Sequence, residues 1–144
     1  MNYFSTTEFC LSNQKGRILA RAGDRLAAHH PIYDHIGTVN FDGRIWACSR
    51  KFDGVRLVNY EDFAGGQRVS NQGNVGNLSP LTVLQNYFEL QGDGYDVVTK
   101  NCEHIDNYAR GLGYRSKQLV GAGVVAATCL ILAFALKRST VSGR

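Results

Sequence analysis

The chain has 144 residues, 44% of them hydrophobic, which suits one domain with a buried core followed by a tail. Its 16 basic and 12 acidic residues leave a net charge of +4 with no long basic block, and no nucleic-acid motif accompanies them, so no nucleic-acid partner is expected. Cys10, Cys48, Cys102 and Cys129 are scattered without the dense spacing of a disulfide scaffold, which points to a reducing, cytoplasmic compartment.

Residues 1–20 lack the basic start and apolar run of a secretory signal and read as a lead-in that docks one strand. Residues 33–47 read as a hairpin: alternating apolar positions flank Asp42-Gly43, a dipeptide suited to a type I′ turn. His35 starts its first strand, and an imidazole there has the right basicity to take a proton near neutral pH. Residues 54–58 alternate like a half-buried strand, and Ala64-Gly65-Gly66 breaks the pattern. Residues 69–77, rich in Asn and Gly, read as a surface loop.

Ser79-Pro80 announces a helix, serine as N-cap and proline in its first turn, with Leu81, Leu84, Tyr87 and Phe88 as the core-facing stripe and Gly92 and Gly94 at its end. A β-like run over 95–99 then leads into Asn101-Cys102-Glu103-His104, which opens a helix over 103–110. A cysteine in the first turn of a helix lies near the positive end of the macrodipole, where a thiolate, and so a nucleophile, is favoured. His104 is two residues from Cys102 and points elsewhere on a helix, so its role is packing or hydrogen bonding rather than that of the base. No second pair of ligands at metal spacing joins Cys102 and His104, so no metal and no cofactor are expected.

Residues 119–136 form a run of 18 without a charge, flanked by Arg115 and Lys117 on one side and Lys137 and Arg138 on the other. As a helix it would span about 27 Å, enough for a single membrane pass. The small pairs Ala122/Ala126 and Gly123/Ala127 would let two such helices meet in a homo-oligomer.

Gly23-Asp24-Arg25-Leu26, His35 with Gly37, Asp42-Gly43, the stretch 58–66 and Asn101-Cys102-Glu103-His104 recur in that order, and the pattern over roughly 22–119 resembles the lecithin retinol acyltransferase-like family, a circularly permuted branch of the NlpC-type papain-like superfamily. The resemblance implies an α+β fold, an antiparallel sheet packed against helices, and thiol-dependent acyl transfer or hydrolysis on acyl lipids, often phospholipids. It implies Cys102 as nucleophile and His35 as base; Asn101, His104 and Ser49 are the candidates for a supporting part. The division expected is a lead-in over 1–20, a catalytic domain over 21–118, a hydrophobic C-terminal anchor helix over 119–136 and a basic tail over 137–144, with membrane lipids as partners. One departure stands out: where the family places a residue that orients the imidazole, this chain has Ala47, which has no side-chain hydrogen bond to offer, leaving Ser49 by a register shift, or Cys48, as substitutes. Two other readings stay open: a catalytically impaired membrane-bound interaction module of the same fold, and an amidase or peptidase.

Overall fold

A computed structural model describes residues 7–96 and 101–113. It has seven strands and three α-helices within those limits: β1 (Glu8–Asn13), β2 (Gly16–Arg21), β3 (Arg25–His29), β4 (Asp34–Val39), β5 (Ile45–Ser49), a 3-10 turn (Arg50–Phe52), β6 (Gly54–Val58), α1 (Tyr60–Ala64), β7 (Val69–Asn71), α2 (Pro80–Glu89) and α3 (Cys102–Ala109). Five strands form an antiparallel sheet in the order β6-β5-β4-β3-β7, and β1 and β2 form a separate hairpin. The α+β expectation with an antiparallel sheet is met. The expected C-terminal helix over 119–136 lies outside the described residues; among those described, no helix is long and apolar enough to cross a membrane.

Strand alternation sorts the core into two layers. Leu26, Ala28, Val39, Ile45 and Ala47 pack with Phe63 and Ala64 of α1, and Phe9, Leu11 and Ile18 of the β1–β2 hairpin close that layer. Trp46, Cys48 and Val55 face the other way, onto Val83, Leu84 and Tyr87 of α2 and Ile105 and Ala109 of α3. Both faces are covered, so Ile45, Trp46, Ala47 and Cys48 are buried in succession. Each large side chain so buried contributes roughly 1.5–3 kcal/mol.

Several local expectations change. The lead-in contributes two paired strands rather than one. Strand β7 occupies the start of the expected 69–77 loop because pairing with β3 supplies the hydrogen bonds its polar side chains do not predict. The β4–β5 turn is not type I′: Gly43 has φ 80° while Asp42 does not have a positive φ. Gly43 N–H donates to Asn40 O at 3.1 Å and Asn40 N–H to Arg44 O at 2.7 Å, a three-residue loop in which only glycine takes the left-handed conformation. Ser79 caps α2 as expected, but the helix ends at Glu89, before the glycines; Val83 joins its buried face and Phe88 is 69% exposed.

Gly37, two residues after His35, has a packing reason to be glycine. A methyl group there would stand 2.7 Å from both Ile45 Cγ2 and Phe63 Cε2, too close to fit without displacing the α1 layer.

The two helices on the second face meet the sheet through a buried polar cluster. Asp106, fully buried, accepts hydrogen bonds from Thr38 Oγ1 (2.7 Å), Tyr87 OH (2.7 Å) and Arg110 Nε (2.9 Å). Arg25 Nε stands 3.2 Å from the same carboxylate as an ion pair. Arg110 Nη2 donates to Thr38 Oγ1 at 2.6 Å and to Gly23 O at 3.1 Å, and Nη1 to Asn74 Oδ1 and Val75 O, both at 3.3 Å. Burial and the Asp106 carboxylate hold the Tyr87 phenol well above its usual range, so it remains a donor. Removing the Asp106 charge would leave Arg110 buried without its counter-ion. Asp106→Asn is therefore expected to cost about 3–5 kcal/mol, and Tyr87→Phe only about 1–2 kcal/mol, in urea unfolding of the two variants.

Candidate functional site

Strands β4 and β5 pair only at Gly37↔Ala47, Thr38↔Trp46 and Val39↔Ile45. Beyond that point β4 stays paired to β3 as far as Asp34, and β5 stays paired to β6 as far as Ser49. The sheet forks there, and the first turn of α3 sits at the fork. Asn101 caps α3, its side-chain oxygen accepting from His104 N–H at 3.0 Å. The Cys102 thiol donates to Asp34 O at 3.7 Å, and the side chain packs on Ala27 and Ile36.

His35 leaves β4 on the opposite face, since it pairs with Ala28 whereas Ile36 pairs with Ala27. Its ring lies 5.1 Å from that of Phe63 and 6.4 Å from that of Phe52. The two side chains come together at the fork, where His35, Cys102, Asn101, Ser49, Cys48 and Tyr95 all line one cavity of about 430 Å³. The Cys102 hydrogen bond goes to the Asp34 carbonyl rather than to the imidazole. A second hollow, of about 840 Å³, lies between β6 and α2 against Trp46, Leu57 and Phe88, and none of the candidate site residues His35, Ser49, Asn101, Cys102 and His104 lines it.

Both central groups are held neutral. Burial pushes the His35 pKa down to about 4, with the nearby His30 and Lys51 adding to the effect. Burial also pushes the Cys102 thiol up. The Ile36 and Glu103 amides work against that shift, and the Glu103 and Asp106 carboxylates reinforce it. This corrects the expectation of a resting thiolate: the helix start does favour the anion, but desolvation of a buried sulfur outweighs it.

Ala47 is 1% exposed and belongs to the α1 core layer, so it has no polar part in the site. Ser49 lies two residues further along β5, on the same face as Ala47, and its hydroxyl accepts from Phe52 N–H at 3.3 Å as the cap of the 3-10 turn. Cys48 faces the α2 layer. His104 is buried in the first turn of α3 and does not line the cavity.

Tyr95 is one of the cavity residues that sequence reasoning passed over, because an isolated tyrosine at the head of a β-like run looks like strand packing. Burial raises its phenol, with Cys102 and Cys48 nearby contributing, so it stays protonated and able to donate. Of the β-like run over 95–99, residues 97–99 lie outside the described residues.

Comparison with protein-family models and with curated proteins finds no match for this chain.

Two outcomes follow from the electrostatics. Cys10 is exposed and Cys102 buried with a raised pKa, so iodoacetamide at pH 7.5 should alkylate Cys10 first, with the rate at Cys102 climbing only above the usual thiol range, as read by peptide mass mapping. His35 is depressed to about 4 in the fold, while an unfolded imidazole titrates near 6.5. The unfolded chain therefore binds the extra proton between roughly pH 6.5 and 4, and folding stability falls as the pH is lowered through that window, by on the order of 3 kcal/mol from this group. His35→Gln should remove that share of the pH dependence in urea unfolding at pH 7 and pH 4.5.

Proposed function

We propose that this protein is a thiol-dependent acyltransferase or acyl hydrolase acting on acyl lipids, of the lecithin retinol acyltransferase-like type with a permuted papain-like fold. The observation that carries the reading is Cys102 at the first turn of α3, set in the sheet fork and lining one cavity with His35 and Tyr95. The order of His35, Gly37 and Asn101-Cys102-Glu103-His104 along the chain supports it.

With a neutral thiol and a neutral imidazole at rest, the chemistry starts by general-base catalysis rather than from a standing ion pair. As the acyl carbonyl is attacked, the Cys102 proton passes to His35 and the C–S bond forms. The amides at the start of α3 and the Tyr95 phenol are the groups available to stabilise the oxyanion. Collapse breaks the ester C–O bond, and His35 returns the proton to the departing alcohol. An alcohol, amine or water then gives a proton to His35, attacks the thioester and releases Cys102 as the thiol. Residues 119–136 would hold the domain to the membrane in which such lipids reside.

A second reading, an interaction module that kept the fold and lost the chemistry, is favoured by Ala47 in the core and by the Cys102 hydrogen bond to Asp34 in place of His35. Turnover of a monomeric short-chain ester separates the two. The enzyme reading expects loss of activity in Cys102→Ala, a fall of about a hundredfold or more in His35→Gln, and roughly a hundredfold in Tyr95→Phe. It also expects kcat/KM to be level across neutral pH, where the thiol and the neutral imidazole are both in their working forms, and to fall as the pH drops toward about 4 and His35 becomes protonated. Activity that survives Cys102→Ala would overturn it.

A further inference from the structure

The β3–β4 turn over 30–33 stands at the mouth of the cavity and exposes apolar surface. Ile32 is 92% exposed and Tyr33 46%. The Tyr33 ring is stacked on His30, centroids 4.7 Å apart and planes 6° from parallel, and both rings line the cavity. A single exposed isoleucine is ordinary. This one is held on a turn whose neighbouring aromatic is fixed in place, at the entrance to a site.

The charges around the turn are sorted. Its nearest acids are engaged: Asp34 accepts from His29 Nδ1 at 2.8 Å, and Asp62 lies 3.6 Å from Lys51 Nζ. Two cations remain without an acidic partner among the described residues. Arg50 is exposed and lines the cavity mouth on one side, and Arg68 is exposed on the other, its carbonyl accepting from His29 N–H at 2.9 Å. An apolar tip between unpaired cations is complementary to an anionic bilayer, in which headgroups meet the guanidinium groups and the acyl region receives the isoleucine.

We propose that the Ile32–Tyr33 tip, with Arg50 and Arg68 beside it, docks on an anionic lipid surface and opens the cavity onto that surface. The tip's purpose rests on the lipid-acting reading of the site; its existence does not. The chain geometry permits it. Both α3 and β3 run between the tip end of the sheet and the Arg25–Arg110 end, a distance of about 17 Å for five strand residues. The five residues 114–118 can reach about as far when extended, so an anchor starting at residue 119 and the tip can meet one membrane.

The test uses the full chain carrying Ile32→Trp, with buried Trp46 of the unaltered chain as the constant background. It is bound to vesicles of phosphatidylcholine with or without phosphatidylserine, each also prepared with brominated acyl chains. Docking predicts a blue shift and severalfold bromine quenching of the new tryptophan on the anionic vesicles, both reduced severalfold on neutral ones or by Arg50→Glu with Arg68→Glu. An unshifted, unquenched tryptophan on anionic vesicles that carry the protein in flotation would overturn the proposal, and would direct the tip to a protein partner instead. Equal quenching on neutral and anionic vesicles would also overturn it, because the cations would then play no part. The monomeric ester assay keeps the two proposals apart. Ile32→Asp should turn that ester over like the unaltered chain; turnover without quenching sinks docking alone, and quenching without turnover sinks the enzyme reading alone.

Discussion

The buried Asp106–Arg110 pair is the constraint on which the rest of the structure depends. Neither charge reaches water, so each must be satisfied inside the fold, and doing so ties together strand β4, strand β3, helix α2 and the loops at Gly23 and Asn74. Asp106 lies one helical turn after Cys102. Once its hydrogen bonds to Thr38 and Tyr87 are made, the depth and rotation of α3 on the sheet are set, and with them the position of the sulfur at the fork. A hydrophobic contact in that place would hold the helix less specifically, because apolar packing tolerates small slides that a network of directed hydrogen bonds does not.

The fork turns that rigidity into a site. A continuous β4–β5 ladder would leave no entry for a helix terminus. Because pairing stops at Gly37↔Ala47, the Asp34 carbonyl and the Ile36 amide are available to the Cys102 sulfur. The same burial that orders the sulfur also makes its anion costly and makes protonated His35 costly, so the pair rests neutral. In the proposed reaction, proton movement would be coupled to the arrival of an electrophile, and the same burial would shield the thiol from adventitious reagents.

How much of this could be read from the residues varied with the range of the interactions involved. The caps are local, and Asn101 and Ser79 stand where their side chains take up the first free amides of α3 and α2. The strands of the hairpin that carries His35 follow from alternation. Strand β7 was missed because its pairing partner, β3, is some forty residues away in the chain and its own side chains are polar. The buried cluster was missed although Cys102, Asp106 and Arg110 recur at four-residue spacing, which puts a carboxylate and a guanidinium on the same helix face as the thiol. The ionisation of Cys102 was misjudged for a similar reason: the helix dipole is visible in the sequence, and desolvation is not. Tyr95, and the opposite faces from which His35 and Cys102 reach the cavity, depend on tertiary placement alone.

Thioester formation at Cys102 is the claim on which the functional account stands, and intact mass tests it most directly. The purified full chain and Cys102→Ala would be incubated with a short-chain phosphatidylcholine at mildly alkaline pH, quenched in acid and weighed. The account predicts a mass increase of one acyl group on the unaltered chain only, removed by neutral hydroxylamine as a thioester should be. An unmodified chain under conditions where iodoacetamide reaches Cys102, or an adduct that persists in Cys102→Ala, would contradict it.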